Sequence, residues 1–276
     1  MKPTRRGKTA LVALAAIAVL GGASASAILA AGNSTTVRAG NLVLHADGAF
    51  SPSALPRNKF APISFHGNDS VETVDGSHVP PAQTVHLQID RHFRIESTGL
   101  PSCTLAQIKA SPPSHAMKAC GPALIGKGHA SAQAAFPEQA FINAKGVLLA
   151  FNGPTVGGYP EMLFYTYVDV PAPTALVVVA KLAKDSGKYA YKVTATVPEL
   201  VGGYGSLTGF ELTFGRKWTY KGKQHSYLSA ECPSGDFVDQ FEVSFGDGTD
   251  LSGTLLNSCQ PQGEGEASSS LEIGYE

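Results

Sequence analysis

Alternation of apolar and polar side chains over residues 85–96, interrupted only at Arg91, is the feature that most constrains the fold. The apolar members of this stretch are Val85, Leu87, Ile89, Phe93 and Ile95. Successive side chains of an extended strand point to opposite faces of a sheet. The period therefore predicts one half-buried strand, or two strands with a turn near Asp90. Similar alternation occurs over residues 189–197, 210–214 and 237–245.

Two further runs, residues 162–170 and 175–182, are apolar at almost every position and are bounded by prolines. Their β-branched and aromatic content predicts central strands that are buried on both faces. Helix is predicted only between Cys103 and Cys120, over residues 104–110 with one more turn over residues 114–119. The sequence thus predicts an all-β fold, a two-sheet antiparallel sandwich of immunoglobulin-like or jelly-roll-like type, with one short helix in a disulfide loop.

The amino terminus has the pattern of a secretory signal peptide over residues 1–27. Its first eight residues carry four cations and no acid, residues 9–31 are apolar, and small residues follow the A-x-A cleavage pattern. An uncleaved membrane anchor is the alternative, since the apolar run is long enough to span a bilayer. Beyond it we expect a linker over residues 28–39 and a β-sandwich domain, single or composite, over residues 40–259. Residues 260–276 are predicted to be a disordered acidic tail.

The net charge of the mature chain argues against a nucleic-acid partner. Removing residues 1–27 takes four of the 21 cations and none of the 22 acids, which leaves 17 cations, 22 acids and a net charge of −5. A nucleic-acid binder needs a strongly basic footprint, so nucleic acid is not an expected partner. We expect a secreted, extracellular or envelope-associated protein that meets a cell-wall glycan or an envelope protein. It would touch the membrane only through an uncleaved amino-terminal segment.

Four cysteines in an exported chain predict two disulfides. The favoured pairs are Cys103–Cys120 and Cys232–Cys259. A hairpin turn at Asp247 and Gly248 sets residue 236 opposite Cys259, and the turn over residues 233–235 then brings Cys232 back to the hairpin base. A zinc site is the alternative, although the close C-x-x-C spacing is lacking.

Short motifs surround these cysteines in a fixed order. They are GLPSC at residues 99–103, LIGKG at 124–128, GGYGSLT at 202–208, SYLSAEC at 226–232 and GDGT at 246–249. This order resembles that of a recurrent class of secreted actinobacterial proteins with no assigned biochemistry. The resemblance implies export and a β domain, and it carries over no active site.

Aspartates near the last hairpin are candidate calcium ligands, because hard cations prefer oxygen. They are Asp236, Asp239, Asp247 and Asp250. Aspartate also favours turns, so plain turn chemistry is the alternative interpretation. A metal shared by His86, Asp90 and His92 on one strand face competes with a simple solvated face. No other cofactor is expected.

Aromatic residues give the second candidate site. Trp218 and Tyr220 share one strand face, and Tyr227 is predicted to face them across the Gly222 turn, as a platform for a sugar ring. A buried core is the alternative. No catalytic residue is predicted, since G-x-S-x-G and H-E-x-x-H are absent and the cysteines are paired. We therefore expect a non-catalytic structural or binding module. The alternative is a carbohydrate-active protein, either a lectin-like domain or a glycoside hydrolase.

Overall fold

A computed structural model describes residues 33–263 in full and the backbone alone of Ser26–Ile28. Most of the predicted signal peptide and residues 264–276 of the predicted tail lie outside the described residues. The strands are β1 (Ser26–Ile28), β2 (Ser34–Ala39), β3 (Leu42–Ser51), β4 (Ala54–Pro56), β5 (Ala61–Pro62), β6 (Ser64–Thr73), β7 (Ala82–Asp90), β8 (Phe93–Ile95), β9 (Leu124–Ala134), β10 (Ile142–Val156), β11 (Tyr159–Val168), β12 (Thr174–Lys184), β13 (Tyr189–Thr196), β14 (Gly205–Phe214), β15 (Lys217–Tyr220), β16 (Lys223–Ser226), β17 (Leu228–Ala230), β18 (Asp236–Phe245), β19 (Asp250–Ser258) and β20 (Gln260–Gln262). The helical elements are α1 (Leu105–Ile108), α2 (Pro113–Cys120) and 3-10 turns at Gly121–Ala123 and Val201–Gly203.

Thirteen strands form one sheet in the order β1-β2-β3-β6-β14-β9-β10-β11-β12-β13-β7-β18-β19, and every neighbouring pair is antiparallel. The sheet curls until β19 lies against β2 and β3, so it is a nearly closed barrel. The predicted mostly β fold is confirmed, whereas the predicted two-sheet sandwich is wrong. Alternation shows which face of each strand is buried, and a single twisted sheet can bury that face by curling onto itself.

The inner face of the barrel carries the apolar side chains of the alternating segments. Val85, Leu87 and Ile89 on β7 line it as predicted. The chain turns after Asp90, so Phe93 and Ile95 belong to the separate strand β8, which was the second form of that prediction. Phe93 packs against Phe237, with ring centroids 4.5 Å apart, and this contact joins β8 to the barrel core.

A helical layer covers the outer face of β10, β11 and β12. Ile108 of α1 and Ala116 of α2 pack, together with both cysteines of the first disulfide, against Phe151, Leu163 and Tyr165. The hydroxyl of Tyr165 also donates a hydrogen bond to the Ser111 carbonyl. These strands therefore contact apolar side chains on both faces, which confirms the prediction of buried central strands.

Three long connections leave the same end of the barrel, which we call the capped end. They are residues 52–63 between β3 and β6, residues 91–123 between β7 and β9, and residues 215–235 between β14 and β18. They form a small sheet, β5-β17-β8, the hairpin β15–β16 and a parallel pair of β4 with β20. Disulfides join Cys103 to Cys120 and Cys232 to Cys259, as predicted, and the second ties residues 215–235 to the end of β19.

The opposite end, which we call the open end, carries shorter connections. Residues 74–81 cross its mouth from β6 to β7. Val79 lies in the middle of this crossing and is 1% exposed. Its N–H donates to Oε1 of Gln133 at 3.1 Å, and its carbonyl accepts from the Ser206 hydroxyl at 2.6 Å. One short segment thus closes the interior at this end.

The sheet extends beyond the predicted domain limits. Ser34–Ala39, predicted as a linker, is strand β2, because Thr35, Val37 and Ala39 alternate and direct Val37 into the core. Gln260–Gln262, in the predicted tail, pairs with Ala54–Pro56. Between residues 33 and 263, no helix is long and apolar enough to cross a membrane.

Candidate ligand-binding site

The structure does not bring the four candidate calcium ligands together. Asp236 pairs with Ser258 at one end of the β18–β19 ladder, and Asp250 pairs with Ser244 at the other. Eight residue steps at about 3.4 Å place them roughly 27 Å apart. The Asp247 carboxylate accepts from the Thr249 N–H at 2.9 Å, which is turn chemistry. Across the described part of the chain, no three His, Cys, Asp or Glu side chains gather as metal ligands.

Asp239 instead forms a buried pair with Asp90 that joins β18 to β7. Oδ1 of Asp239 accepts from the Asp90 N–H at 2.8 Å, and Oδ2 of Asp90 accepts from the Val238 N–H at 3.0 Å. Burial raises the pKa of the Asp239 carboxyl to about 7, and the nearby Asp90 carboxylate raises it as well. Asp239 therefore exchanges a proton near neutral pH inside the wall of the barrel.

Trp218 and Tyr220 lie on one face of the β15–β16 hairpin, as predicted. This face packs against the segment that follows β8 and does not point into solvent. The Trp218 indole stacks on His225 at 5.6 Å and donates from Nε1 to the Thr98 carbonyl at 3.0 Å. The Tyr220 ring lies against Gly99, where a β-carbon would approach it within 2.2 Å. The two rings are half-buried and lie against residues 98–99, which remain exposed.

Tyr227 does not join these two rings at the surface. It is fully buried, and its N–H donates to the Arg216 carbonyl at 2.8 Å. Burial raises the pKa of its phenol. The hairpin turn at Gly222 sets His225 opposite Trp218 and Lys223 opposite Tyr220. The ring that faces Trp218 across the hairpin is therefore the imidazole of His225, and the phenol of Tyr227 lies elsewhere.

A depression of about 560 Å³ lies on the outer face of four adjacent strands, β13, β7, β18 and β19. We call it the polar trough. Its polar lining residues are His86, Gln88, Lys192, Gln240, Glu242, Ser244, Ser252 and Thr254. The alternation of each strand directs these side chains outward while the neighbouring apolar residues face the core.

Strand register places the trough residues in rows across the sheet. Lys192, Gln88, Gln240 and Thr254 are successive partners in one row, and His86, Glu242 and Ser252 are partners in the next. Neighbouring strands are about 4.8 Å apart, and rows on one face are about 6.7 Å apart. The trough therefore presents a grid of polar groups at regular spacing.

Two trough residues are held in place by residues outside the trough. Nε2 of Gln88 donates to Oδ2 of Asp185 at 2.8 Å, and this hydrogen bond lowers the pKa of the Asp185 carboxyl. Nδ1 of His86 lies 3.1 Å from the Thr194 hydroxyl. Gln240 and Glu242 make no side-chain hydrogen bond within residues 33–263. The β18 side of the trough is thus free to bind a ligand.

The comparisons with known proteins add no relative. No family model matches the chain, and neither a curated protein nor a solved structure matches it significantly. The chemistry of the trough and of the hairpin is therefore the basis for a functional proposal.

Proposed function

We propose that the protein is an exported, non-catalytic binding module of the cell envelope, and that its ligand occupies the polar trough. The observation that carries the proposal is the row of unpartnered polar side chains on β18 and β19 inside a depression of about 560 Å³. A volume of this order is typical of ligand sites. The two disulfides suit an oxidising compartment, which supports the export part of the proposal.

The lining favours a neutral ligand rich in hydroxyl groups. Amides, hydroxyls and an imidazole supply both donors and acceptors, and the single ammonium of Lys192 balances the single carboxylate of Glu242. A glycan presents many hydroxyls along a chain, and the repeated rows of the trough offer one hydrogen-bonding group at each step. The proposed ligand class is therefore a neutral glycan, bound in a lectin-like manner.

Glycoside hydrolysis is less well supported at the same place. It requires a pair of carboxyl groups about 5–9.5 Å apart on either side of the scissile bond. Glu242 is the one carboxylate among the trough-lining residues. The geometry therefore favours binding over bond cleavage.

The test is a thermal-shift and calorimetric screen of neutral polysaccharides and their oligosaccharides. A ligand that binds only the folded state must raise the melting temperature. We expect the double variant Gln240→Ala with Glu242→Ala to lose at least about tenfold in affinity, since removing two hydrogen bonds of about 1 kcal/mol each has that effect. Gln139→Ala with Glu211→Ala is the matched control, because both residues are exposed and lie outside the trough.

The fluorescence of Trp218, the single tryptophan of the chain, shows in the same experiment whether the ligand binds near the hairpin. Binding in the trough should leave its fluorescence unchanged, whereas binding at the hairpin should quench it. Equal affinity of the two double variants would contradict the trough proposal. Release of reducing sugar during incubation would favour the hydrolase.

A further inference from the structure

Charge is segregated between the two ends of the barrel. The open-end connections (residues 40–41, 74–81, 135–141, 169–173, 197–204 and 246–249) contain five acids and no lysine or arginine. The three long capped-end connections (residues 52–63, 91–123 and 215–235) contain ten lysines and arginines and two acids, and the two short ones (residues 157–158 and 185–188) add one cation and one acid. A chain whose predicted mature charge is −5 thus carries a strongly basic surface at one end.

The two acids of the three long connections are already engaged by histidines. Oε1 of Glu96 lies 2.8 Å from Nδ1 of His225, and Oε1 of Glu231 lies 3.2 Å from Nδ1 of His92. Among the described residues, no lysine or arginine forms a salt bridge with a carboxylate. The basic side chains of the capped end therefore keep their charge for an external partner.

Most of these cations form one continuous surface, which we call the basic cap. Its members are Arg57, Lys59, Arg91, Arg94, Lys217, Lys221 and Lys223, all exposed. Arg94 lies over the ring of Phe60 at 4.3 Å, which places residues 57–60 beside β8. The lysine-bearing hairpin is fixed to the segment after β8 by the Trp218–Thr98 and His225–Glu96 hydrogen bonds. Arg216 is excluded, since it is half-buried and donates to the Pro122 and Leu124 carbonyls, whereas Arg57 is exposed and donates to the Pro233 carbonyl alone.

We propose that the basic cap binds a soluble anionic polymer, one that carries repeated phosphate or carboxylate groups. Several unpaired cations within one Debye length, about 8–10 Å, attract such a chain cooperatively. Phosphate and carboxylate form charge-assisted hydrogen bonds with arginine and lysine. The acidic open end repels the same polymer, so the molecule binds with its capped end toward the polymer.

The alternative source of anionic groups is a membrane of acidic lipids. Proteins that lie on membranes bury apolar side chains between the headgroups. The exposed large apolar residues of the described chain are Val74, Leu105, Val156, Val170, Tyr204 and Phe210. Leu105 and Val156 lie at the capped end, but none of the six lies within the segments that carry the basic cap, residues 57–60, 91–94 and 217–223. The surface therefore fits a polymer in solution better than a bilayer.

The proposal is independent of the polar trough, which lies on a different surface, and it is tested with a different probe. Binding of inorganic polyphosphate to the purified protein is measured by calorimetry at low and high salt. The compared variants are Lys217→Glu, Lys221→Glu and Lys223→Glu combined, and Lys127→Glu, Lys145→Glu and Lys181→Glu combined. Both sets replace three exposed lysines, so the change in net charge is the same.

We expect the wild type and the side-strand variant to bind polyphosphate, and the hairpin variant to bind at least about tenfold more weakly. Affinity should also fall at least about tenfold between about 50 and 500 mM NaCl. Equal losses in the two variants would overturn the proposal, because net charge alone would then explain binding. Binding to phosphatidylglycerol vesicles without binding to polyphosphate would also overturn it, in favour of a lipid surface.

Discussion

The capped end and the open end close the same barrel in different ways. The capped end uses three long connections, a second small sheet and the Cys232–Cys259 disulfide. The open end uses one crossing segment, residues 74–81, whose Val79 fills the interior. The first is an added layer that extends the core with aromatic residues, and the second is a thin lid held by a few hydrogen bonds.

This difference explains why the basic surface residues are concentrated at the capped end. Long connections are free to vary on a fixed sheet, since their inner residues fill the core while their outer residues face solvent. At the capped end the inner residues are Phe93 and Leu228, and the outer ones are basic. A short lid offers much less surface, and its exposed residues, Val74, Asp75, Gly76 and Ser77, include one acid and no cation.

Truncating an aromatic side chain of the cap should give the largest loss of stability. Phe93→Ala removes the contacts with Phe237 at 4.5 Å and Phe50 at 4.8 Å, and we expect the free energy of unfolding to fall by about 4 kcal/mol. Val79→Ala in the lid should cost about 2 kcal/mol, because fewer buried carbon atoms are removed. Urea denaturation measures both values, and a larger loss at Val79 would invert the comparison.

The buried Asp239 should make the protein less stable as pH rises. The pKa of its carboxyl is about 7 in the folded protein and 3.8 in an unfolded chain, so its contribution is fully present below about pH 4 and is lost between about pH 4 and 7. The loss is on the order of 4 kcal/mol. Asp239→Asn keeps the oxygen that accepts from Asp90 and should remove the part of the decline that comes from Asp239. Asp69, whose pKa burial also raises to about 7, should keep its own part. Denaturation at several pH values measures the difference.

Asp236→Asn is the matched control for that series, since Asp236 is exposed on the same strand. It should retain the decline of the wild type.

At the open end, burial lowers the pKa of His78, so that group acts in the opposite direction and reduces stability as pH falls below about 6.5. A pH profile of Asp239→Asn that matches the wild type would show that Asp239 is ionised throughout.

Removing the disulfide of the cap should have a slightly smaller effect on stability. Cys232→Ala with Cys259→Ala is expected to cost about 3 kcal/mol in the chain-entropy treatment, and Cys103→Ala with Cys120→Ala about the same. The two pairs differ in function. Only the first should weaken polyphosphate binding, because only that disulfide fixes residues 215–235 to the barrel. Equal weakening by both would mean that the basic cap depends on the helical layer.

Local patterns in the sequence predict much of the fold. The turn after Asp90 follows from periodicity over a few residues, and the burial of residues 162–170 follows from their continuous apolar composition. The Cys232–Cys259 disulfide follows from turn positions nearby. Closure of the sheet cannot be predicted in this way, because it depends on the curvature summed over thirteen strands. The serine and threonine content of β2 suggests a linker, although threonine also favours strands.

The polar trough could not be predicted from the sequence, because it depends on how distant strands pair. Alternation identifies His86 and Gln88 as part of a polar strand face, and it does the same for Gln240 and Glu242. That β7 and β18 are neighbours, with Gln88 opposite Gln240, is a fact of register between segments far apart in the chain. The separation of the candidate calcium ligands is likewise not visible in the sequence, because aspartates close in sequence are spread along an extended hairpin.

The seam between β2 and β19 has a consequence for how the chain reaches its native state. Asn33, at the start of the described domain, accepts from the Ser258 N–H at 3.2 Å near its end, so the barrel cannot close until almost the whole chain is available. Contacts between such distant residues form slowly. Until the last hairpin arrives, the half-built sheet has two bare edges, and bare edges pair with other molecules. Strand pairing with other molecules therefore competes with folding until β18 and β19 join the sheet.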